Sequence, residues 1–352
     1  MNLLLFDNSH YHKSREGLII AEALIRQGCE VYFVGNELKN VQLSPSCHYY
    51  CLPYDNYRFD FLSLDVKIDC VLGLHQSVAP FVADYKNKTK VPSYCLFLDF
   101  PTGVIDGKDL LNYNFGYSQV FYYWINCLLE LDGAIFTTEI ARKEYLKRYK
   151  RKAYLVYYSL LSDNFKQNER SSYICGHSPI ERIYGLNFVL EVLANTKYTY
   201  QHIYDEADPN WLFCIKDMAK DITNQIILYK GLDRSEQIDL IRYSSMIISG
   251  KWGSWLHGGE ILEAMSVGVP GVCFDYPIFR EMYGDSVLYV KPFDLVKMKK
   301  HIIALCENKS LNEEMGKIGH ERFLQIFEIN KVASNLMYIM KGDYENQTYF
   351  FN

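Results

Sequence analysis

The chain has 352 residues, 49% of them apolar and 22% charged, which excludes a disordered tail, a fibrous repeat and a small disulfide-stapled scaffold. Its 37 basic and 42 acidic residues give a net charge of −5, so no global basic field for nucleic acid or an anionic membrane exists. No run of about 18 apolar residues occurs and MNLLLFDNSH lacks the basic and long apolar segments of a signal peptide, so no spanning helix is expected and the chain is placed in the cytoplasm. The cysteines are scattered, several inside apolar runs such as DCVLGL and GVCFDY, and read as buried thiols. Cys47, His48 and Cys51 have metal-like spacing, but no second pair follows at zinc-site distance, so no metal is expected there.

Residues 2–6 (NLLLF) predict a strand. Residues 14–27 carry Leu18, Ile19, Ala21, Leu24 and Ile25 at helical spacing, with Gly28 as the stop, and residues 30–35 (EVYFVG) predict the next strand. This is a βαβ opening. Strands follow at 69–74, 92–98, 132–137 and 153–157, with helices at 76–86, 118–130 and 139–149 between them. The result is one doubly wound domain over residues 1–160.

Residues 161–171 are polar and aperiodic and read as a linker. The alternation restarts with strands at 172–176, 201–205, 225–229, 246–249, 271–275 and 286–290. Helices are expected at 186–194, 210–220, 234–243 and 259–267, and the chain from 294 to about 340 reads as helical throughout. A second domain is assigned to 172–335, with the tail 336–352 expected to pack back on the first. The fold class is α/β: two Rossmann-like, doubly wound parallel-sheet domains facing an interdomain cleft, with C-terminal helices. Ligands of open α/β sheets bind outside the carboxyl ends of the strands, so the loops after strands are the candidates for function.

The strongest local signal is SGKWGSWLHGGEILEAMSVGVPGVCFDY, starting at Ser249. Gly250, Gly253, Gly258 and Gly259 form a small-residue loop that leads from a strand into a helix, whose free N–H groups suit a phosphate or diphosphate. Glu260 and Glu263 share a face on the first turns. On chemistry alone, each is a capping charge or an acceptor for sugar hydroxyls.

The order Gly-Gly-x-x-x-Glu-Ala-Met-x-x-Gly-x-Pro, followed by an apolar strand, Asp, Pro and Glu, resembles the C-terminal domain of GT-B glycosyltransferases of the family 4-like, group 1 type. YKGLDRSEQIDLIRYSSMIIS before it is similar to the same family, and DNSHYHKSREGLIIAEALIRQGCEVYFVG to its first βαβ unit. The resemblance implies a nucleotide-sugar-dependent transferase with no metal and no resident cofactor, the nucleotide sugar being a co-substrate. It implies that Glu263 binds the donor ribose, that Gly258, Gly259 and Glu260 lie under the sugar and diphosphate, and that Lys230, Gly231 and Leu232 form the turn beside the nucleobase. Glu281 and Asp275 match the acidic positions after the next strand. Two departures stand out. Trp255 occupies the place of the family's first Glu, and His177 and Tyr184 occupy those of its diphosphate Arg and Lys. Arg182 and Lys251 are the neighbouring cations that can supply that charge.

His257 in the Gly loop is the histidine expected beside the sugar. In the first domain His12 and Asp99 follow strands and are the candidates to face an acceptor hydroxyl, the alternative for each being an ordinary polar turn. His75 is a weaker candidate of the same kind. The basic run ARKEYLKRYKRKAY reads as a solvated helix end that complements the dipole, with peripheral membrane contact as the competing reading. DEAD at 205–208 has no G-x-x-x-x-G-K-[ST] partner and the first strand lacks G-x-G-x-x-G, so neither an NTPase nor a dehydrogenase is expected. The resulting expectation is a retaining transferase from a UDP- or GDP-type sugar to a glycan or glycolipid. The alternatives are a DNA-base glycosyltransferase, a non-catalytic nucleotide-sugar-binding partner, and a nucleotide-sugar epimerase.

Overall fold

The computed structural model describes residues 1–7, 15–35, 43–51, 64–97, 104–105, 108–109, 115–157, 171, 173–194, 196–220, 222, 225–252 and 259–343. The chain divides into two units, Met1–Ser159 with Phe327–Asn352, and Leu160–Ile326.

The first unit contains β1 (Asn2–Phe6), α1 (Arg15–Arg26), β2 (Glu30–Gly35), β3 (Cys47–Cys51), β4 (Cys70–Gly73), α2 (Ala79–Thr89) and β5 (Ser93–Phe97). It continues with β6 (Val104–Ile105), β7 (Lys108–Asp109), α3 (Phe115–Leu129), β8 (Gly133–Phe136), α4 (Glu139–Tyr149) and β9 (Ala153–Leu155). Seven of its strands form one parallel sheet in the order β3-β2-β1-β4-β5-β8-β9, and β6 and β7 pair antiparallel on their own. β1 is central and covered on both faces, and Leu3, Leu4, Leu5 and Phe6 are fully buried, which is why it reads as an unbroken apolar run.

Strand β3 carries no apolar run and was not expected from the sequence. It joins the sheet by pairing with β2, and its side chains stack on that neighbour: His48 on Tyr32 at 4.8 Å and Tyr49 on Phe33 at 5.5 Å. His48 Nε2 also lies 2.6 Å from Glu30 Oε1. The Cys47–Cys51 spacing is thus that of a strand, with the Cys47 thiol buried and pushed up to about 11 by loss of solvent.

The second unit contains β10 (Tyr173–His177), α5 (Leu186–Leu193), β11 (Thr199–Tyr204), α6 (Pro209–Lys220), β12 (Ile226–Lys230), α7 (Arg234–Tyr243) and β13 (Met246–Ile248). It continues with α8 (Gly259–Ser266), β14 (Gly271–Phe274), α9 (Pro277–Tyr283), β15 (Val287–Val290), α10 (Leu295–Glu307) and α11 (Lys309–Ile326). Its six strands are parallel in the order β12-β11-β10-β13-β14-β15. Between the strands expected at 271–275 and 286–290 the sequence reading places no helix, but the chain there forms α9, where Pro277 at the first turn fixes a helical φ and Ile278, Phe279 and Met282 are buried.

The last helix, α12 (Ile329–Lys341), belongs to the first unit. The expected boundary at 335 therefore falls inside a helix, and residues 327–335 go with the N-terminal half. The reason is packing: Ile329, Val332, Ala333, Leu336 and Ile339 are buried, α12 packs on α1, and Cys29 Sγ lies 3.3 Å from Met337 Sδ. No helix among the described residues is long and apolar enough to cross a membrane.

Candidate active site

In the second unit β10, β11, β12 and β13 run parallel, so their carboxyl ends share one edge of the sheet. His177 is the last residue of β10 and Lys230 the last of β12, while Ser249 follows β13. Residue Glu263 lies one turn into α8, which returns over this edge.

Both oxygens of the Glu263 carboxylate are held. Oε2 lies 2.5 Å from His177 Nδ1, and Oε1 accepts from Arg234 Nη1. The Glu263 side chain is 8% exposed, and those of His177 and Arg234 18% each. Burial alone would push the carboxyl upward; the charges and hydrogen bonds of His177 and Arg234 outweigh it and hold Glu263 below the ordinary range. For His177 burial opposes the proton, and the Glu263 charge and hydrogen bond more than restore it, raising the imidazole above its ordinary value. Glu263 is thus an ionised, acceptor-only group fixed from two sides.

Arg234 is the first residue of α7. Asp233 caps this helix by accepting from Glu236 N at 2.9 Å, and the Glu236 carboxylate accepts from Asp233 N at 2.9 Å, a complete capping box. Before it, Gly231 takes φ +69° and donates its N–H to Tyr204 O, and the Leu232 carbonyl accepts from Gln237 Nε2 at 2.9 Å. The turn 230–232 is therefore fixed while Lys230 remains exposed at the end of its strand.

A second buried cluster lies at the start of α8. Ser249 Oγ donates to Glu260 Oε1 at 2.7 Å, and Lys251 Nζ lies 3.4 Å from Glu260 Oε2. The same ammonium sits 4.9 Å from the ring centroid of Tyr184. Gly185, at φ +65°, lets the 182–185 turn close on Gly250, since a Cβ at either glycine would collide with the other's carbonyl. Trp252 ties the same turn down: its Nε1 donates to Arg182 O at 3.0 Å and its backbone N to Ile183 O at 3.1 Å. The Arg182 guanidinium itself lies 5.2 Å from the Trp211 ring. Gly259 opens α8, and among the described residues nothing lies within 4 Å of where a side chain there would stand.

Beneath the edge, Tyr200 OH and His202 Nδ1 are 2.9 Å apart and His202 Nε2 donates to Ser178 O at 3.0 Å. Burial pushes His202 down to about 3, with the Ser178 bond only partly opposing, so it is a neutral core histidine. Gly176 is required above it, because a Cβ there would strike the Tyr200 hydroxyl.

The structure brings together two pairs of sequence-predicted residues, Glu263 with His177 and Glu260 with Lys251. Lys251 and Glu260 are both buried, so the lysine expected to face a diphosphate is engaged with its own helix start. Arg182, the other expected cation, is turned onto Trp211. The matched residue Glu281 lies inside α9, and its carbonyl accepts from Arg322 at 2.5 Å, while Asp275 forms a two-point pair with Arg280 at 2.5 and 2.7 Å. In the first unit His75 caps a short 3-10 turn, accepting from Ser77 N at 3.2 Å. His12, Asp99, Trp255, His257 and Gly258 lie outside the described residues. Arg234 was missed by sequence reasoning because Asp-Arg-Ser-Glu reads simply as a helix start. The available signal was a cation at the first position of a helix, where the dipole disfavours it.

Two doubly wound parallel-sheet units, the second with a glycine turn and a buried Glu on the helix after β13, define the GT-B glycosyltransferase fold. Residues 163–322 match the family model "Glycosyl transferases group 1". The second unit is thus similar to the glycosyl transferases group 1 domain, and the chain has the GT-B fold. No curated protein matches the sequence. Among solved structures, sucrose-phosphate synthase from Thermosynechococcus elongatus superposes with a TM-score of 0.78 at 12% identity, over 99% of this chain and 100% of that one. HepE from Anabaena, solved with UDP and glucose, gives 0.76 at 12% identity over 97% and 100%. A glycosyltransferase from Rickettsia africae gives 0.74 at 14% identity over 98% and 99%.

Proposed function

We propose that the protein transfers a sugar, with retention, from a UDP-type nucleotide sugar held in the second unit to a hydroxyl of a glycan or glycolipid. The observation that carries the reading is the Glu263 carboxylate, ionised and fixed by His177 and Arg234 at the carboxyl edge of the sheet. A ribose presents two vicinal hydroxyl donors, which such a carboxylate is built to accept. The fixed turn at Lys230, Gly231 and Leu232 would border the nucleobase. The N–H groups at the start of α8 would face the diphosphate. That Anabaena HepE was solved with UDP-glucose supports UDP as the first donor to test.

The reaction breaks the bond between the anomeric carbon and the diphosphate oxygen, forms one to the acceptor oxygen, and releases the acceptor proton. In this reading the enzyme's share is to position the donor and to offset the charge on the departing diphosphate, with no metal or resident cofactor called for. The glycolipid option gains support from Lys143, Lys147, Arg148, Lys150, Arg151 and Lys152, exposed at one end of α4, which suit an anionic bilayer surface.

Calorimetric titration with UDP, GDP, CDP and TDP tests the donor. Tight binding of one diphosphate, lost in folded Glu263→Ala, is the expected result. Equal affinity in the variant would remove Glu263 from the donor site, and no binding of any of the four would overturn the reading.

A further inference from the structure

We propose that Arg234 is a positioning residue for donor recognition: with His177 it locks the Glu263 carboxylate so that it selects a ribose over a 2′-deoxyribose. The proposal rests on Glu263 as the ribose-binding group, and it assigns to Arg234 a role that residue type and position in the sequence do not suggest.

Three observations carry it. First, Arg234 stands where helix physics disfavours it. A cation at the first position of α7 faces the positive end of the dipole, and the capping box from Asp233 and Glu236 already satisfies the helix start. Second, its guanidinium reaches a different helix and meets a carboxylate that is itself buried. A pair shielded in this way is not the near-neutral surface ion pair that a side chain acquires by chance. Third, the pair completes a two-sided clamp, because His177 arrives from a third element and takes the other oxygen.

The consequence follows from counting acceptors. An ionised carboxylate offers about four lone-pair positions, of which Arg234 and His177 occupy one on each oxygen. Among the described residues that leaves one position per oxygen, matching the two hydroxyls of a vicinal diol. A carboxylate free to rotate would accept one hydroxyl nearly as well as two. A clamped one loses a hydrogen bond to a charged acceptor when the 2′-hydroxyl is missing.

The test measures UDP and 2′-deoxy-UDP against wild type, Arg234→Lys, Arg234→Gln and Glu263→Gln, each shown to be folded by circular dichroism. Wild type is expected to favour UDP roughly tenfold or more, the size of one charge-assisted hydrogen bond. Arg234→Gln should reduce that preference to about twofold, and Arg234→Lys should recover part of it. A purely structural arginine would weaken both nucleotides alike and leave their ratio unchanged. An unchanged ratio in both Arg234 variants, with Glu263→Gln abolishing the preference, overturns this proposal alone. Wild-type indifference to the 2′-hydroxyl, or no wild-type binding, overturns it together with the ribose role of Glu263.

Discussion

Lys251 Nζ and Glu260 Oε2 lie 3.4 Å apart, with side chains only 5% and 7% exposed, at the point where β13 gives way to α8. The pair joins the strand exit to the helix start. Removing one member leaves the other charged and buried, whereas neutralising both avoids that penalty. Lys251→Met is therefore expected to destabilise the protein by about 3 kcal/mol in a urea titration. The double variant Lys251→Met, Glu260→Gln should recover more than half of the loss. A double variant no better than the single would show that the two charges are not coupled.

The His177–Glu263 contact makes stability depend on pH in two directions. His177 titrates above its ordinary 6.5, burial opposing its proton and Glu263 retaining it, so its contribution is complete below pH 6.5 and is lost as pH rises through the raised value. Glu263 titrates below its ordinary 4.5, burial opposing its charge and His177 and Arg234 favouring it, so its contribution is present above pH 4.5 and is lost as pH falls through the lowered value. The melting temperature should be greatest between the two limits and decline on the alkaline side. His177→Gln should flatten that alkaline decline while leaving the carboxylate-driven acid limb. Scanning calorimetry across the pH series checks both limbs.

Gly185 and Gly231 separate backbone strain from steric collision. Both have positive φ, but only Gly185 faces another backbone, the carbonyl of Gly250. Gly231→Ala should cost about 1 kcal/mol, the left-handed penalty alone. Gly185→Ala should cost at least about 2 kcal/mol and should also weaken nucleotide binding, because the 182–185 turn must move off Gly250 and Lys251. Equal effects of the two substitutions would count against the close approach.

The allegiance of α12 is open to an equally direct check. Leu336 is fully buried in the first unit, and Tyr338, two residues on, is 39% exposed. Leu336→Ala should cost about 3 kcal/mol in urea unfolding, while Tyr338→Ala should stay within about 0.5 kcal/mol. Comparable costs would mean that α12 does not seal the core beside α1.

Much of this could be read without coordinates. Buried parallel strands announce themselves as apolar runs, so NLLLF, EVYFVG and the strands of the second unit were legible, and Glu263 stood out through its place in GGEILEAM. Strand β3 was hidden because CHYYC is an edge segment whose stability comes from stacking on Tyr32 and Phe33, neighbours supplied by another strand. Helix α12 was recognisable as helical, but only its part from 336 onward was expected on the first unit, since an amphipathic pattern states that one face is covered and not by what.

The sequence by itself determined the alternation of strands and helices, the glycine-rich composition of the stretch before α8 and the presence of a carboxylate one turn into that helix, because these depend on local periodicity and residue type. Only the tertiary structure decided that Glu263 is clamped by His177 and Arg234, and that Lys251 is committed to Glu260. His177 and Arg234 lie 86 and 29 residues from Glu263, and Lys251 lies nine from Glu260. No local pattern states such pairings, because a charge acquires its role from the burial and opposite charge that folding brings to it.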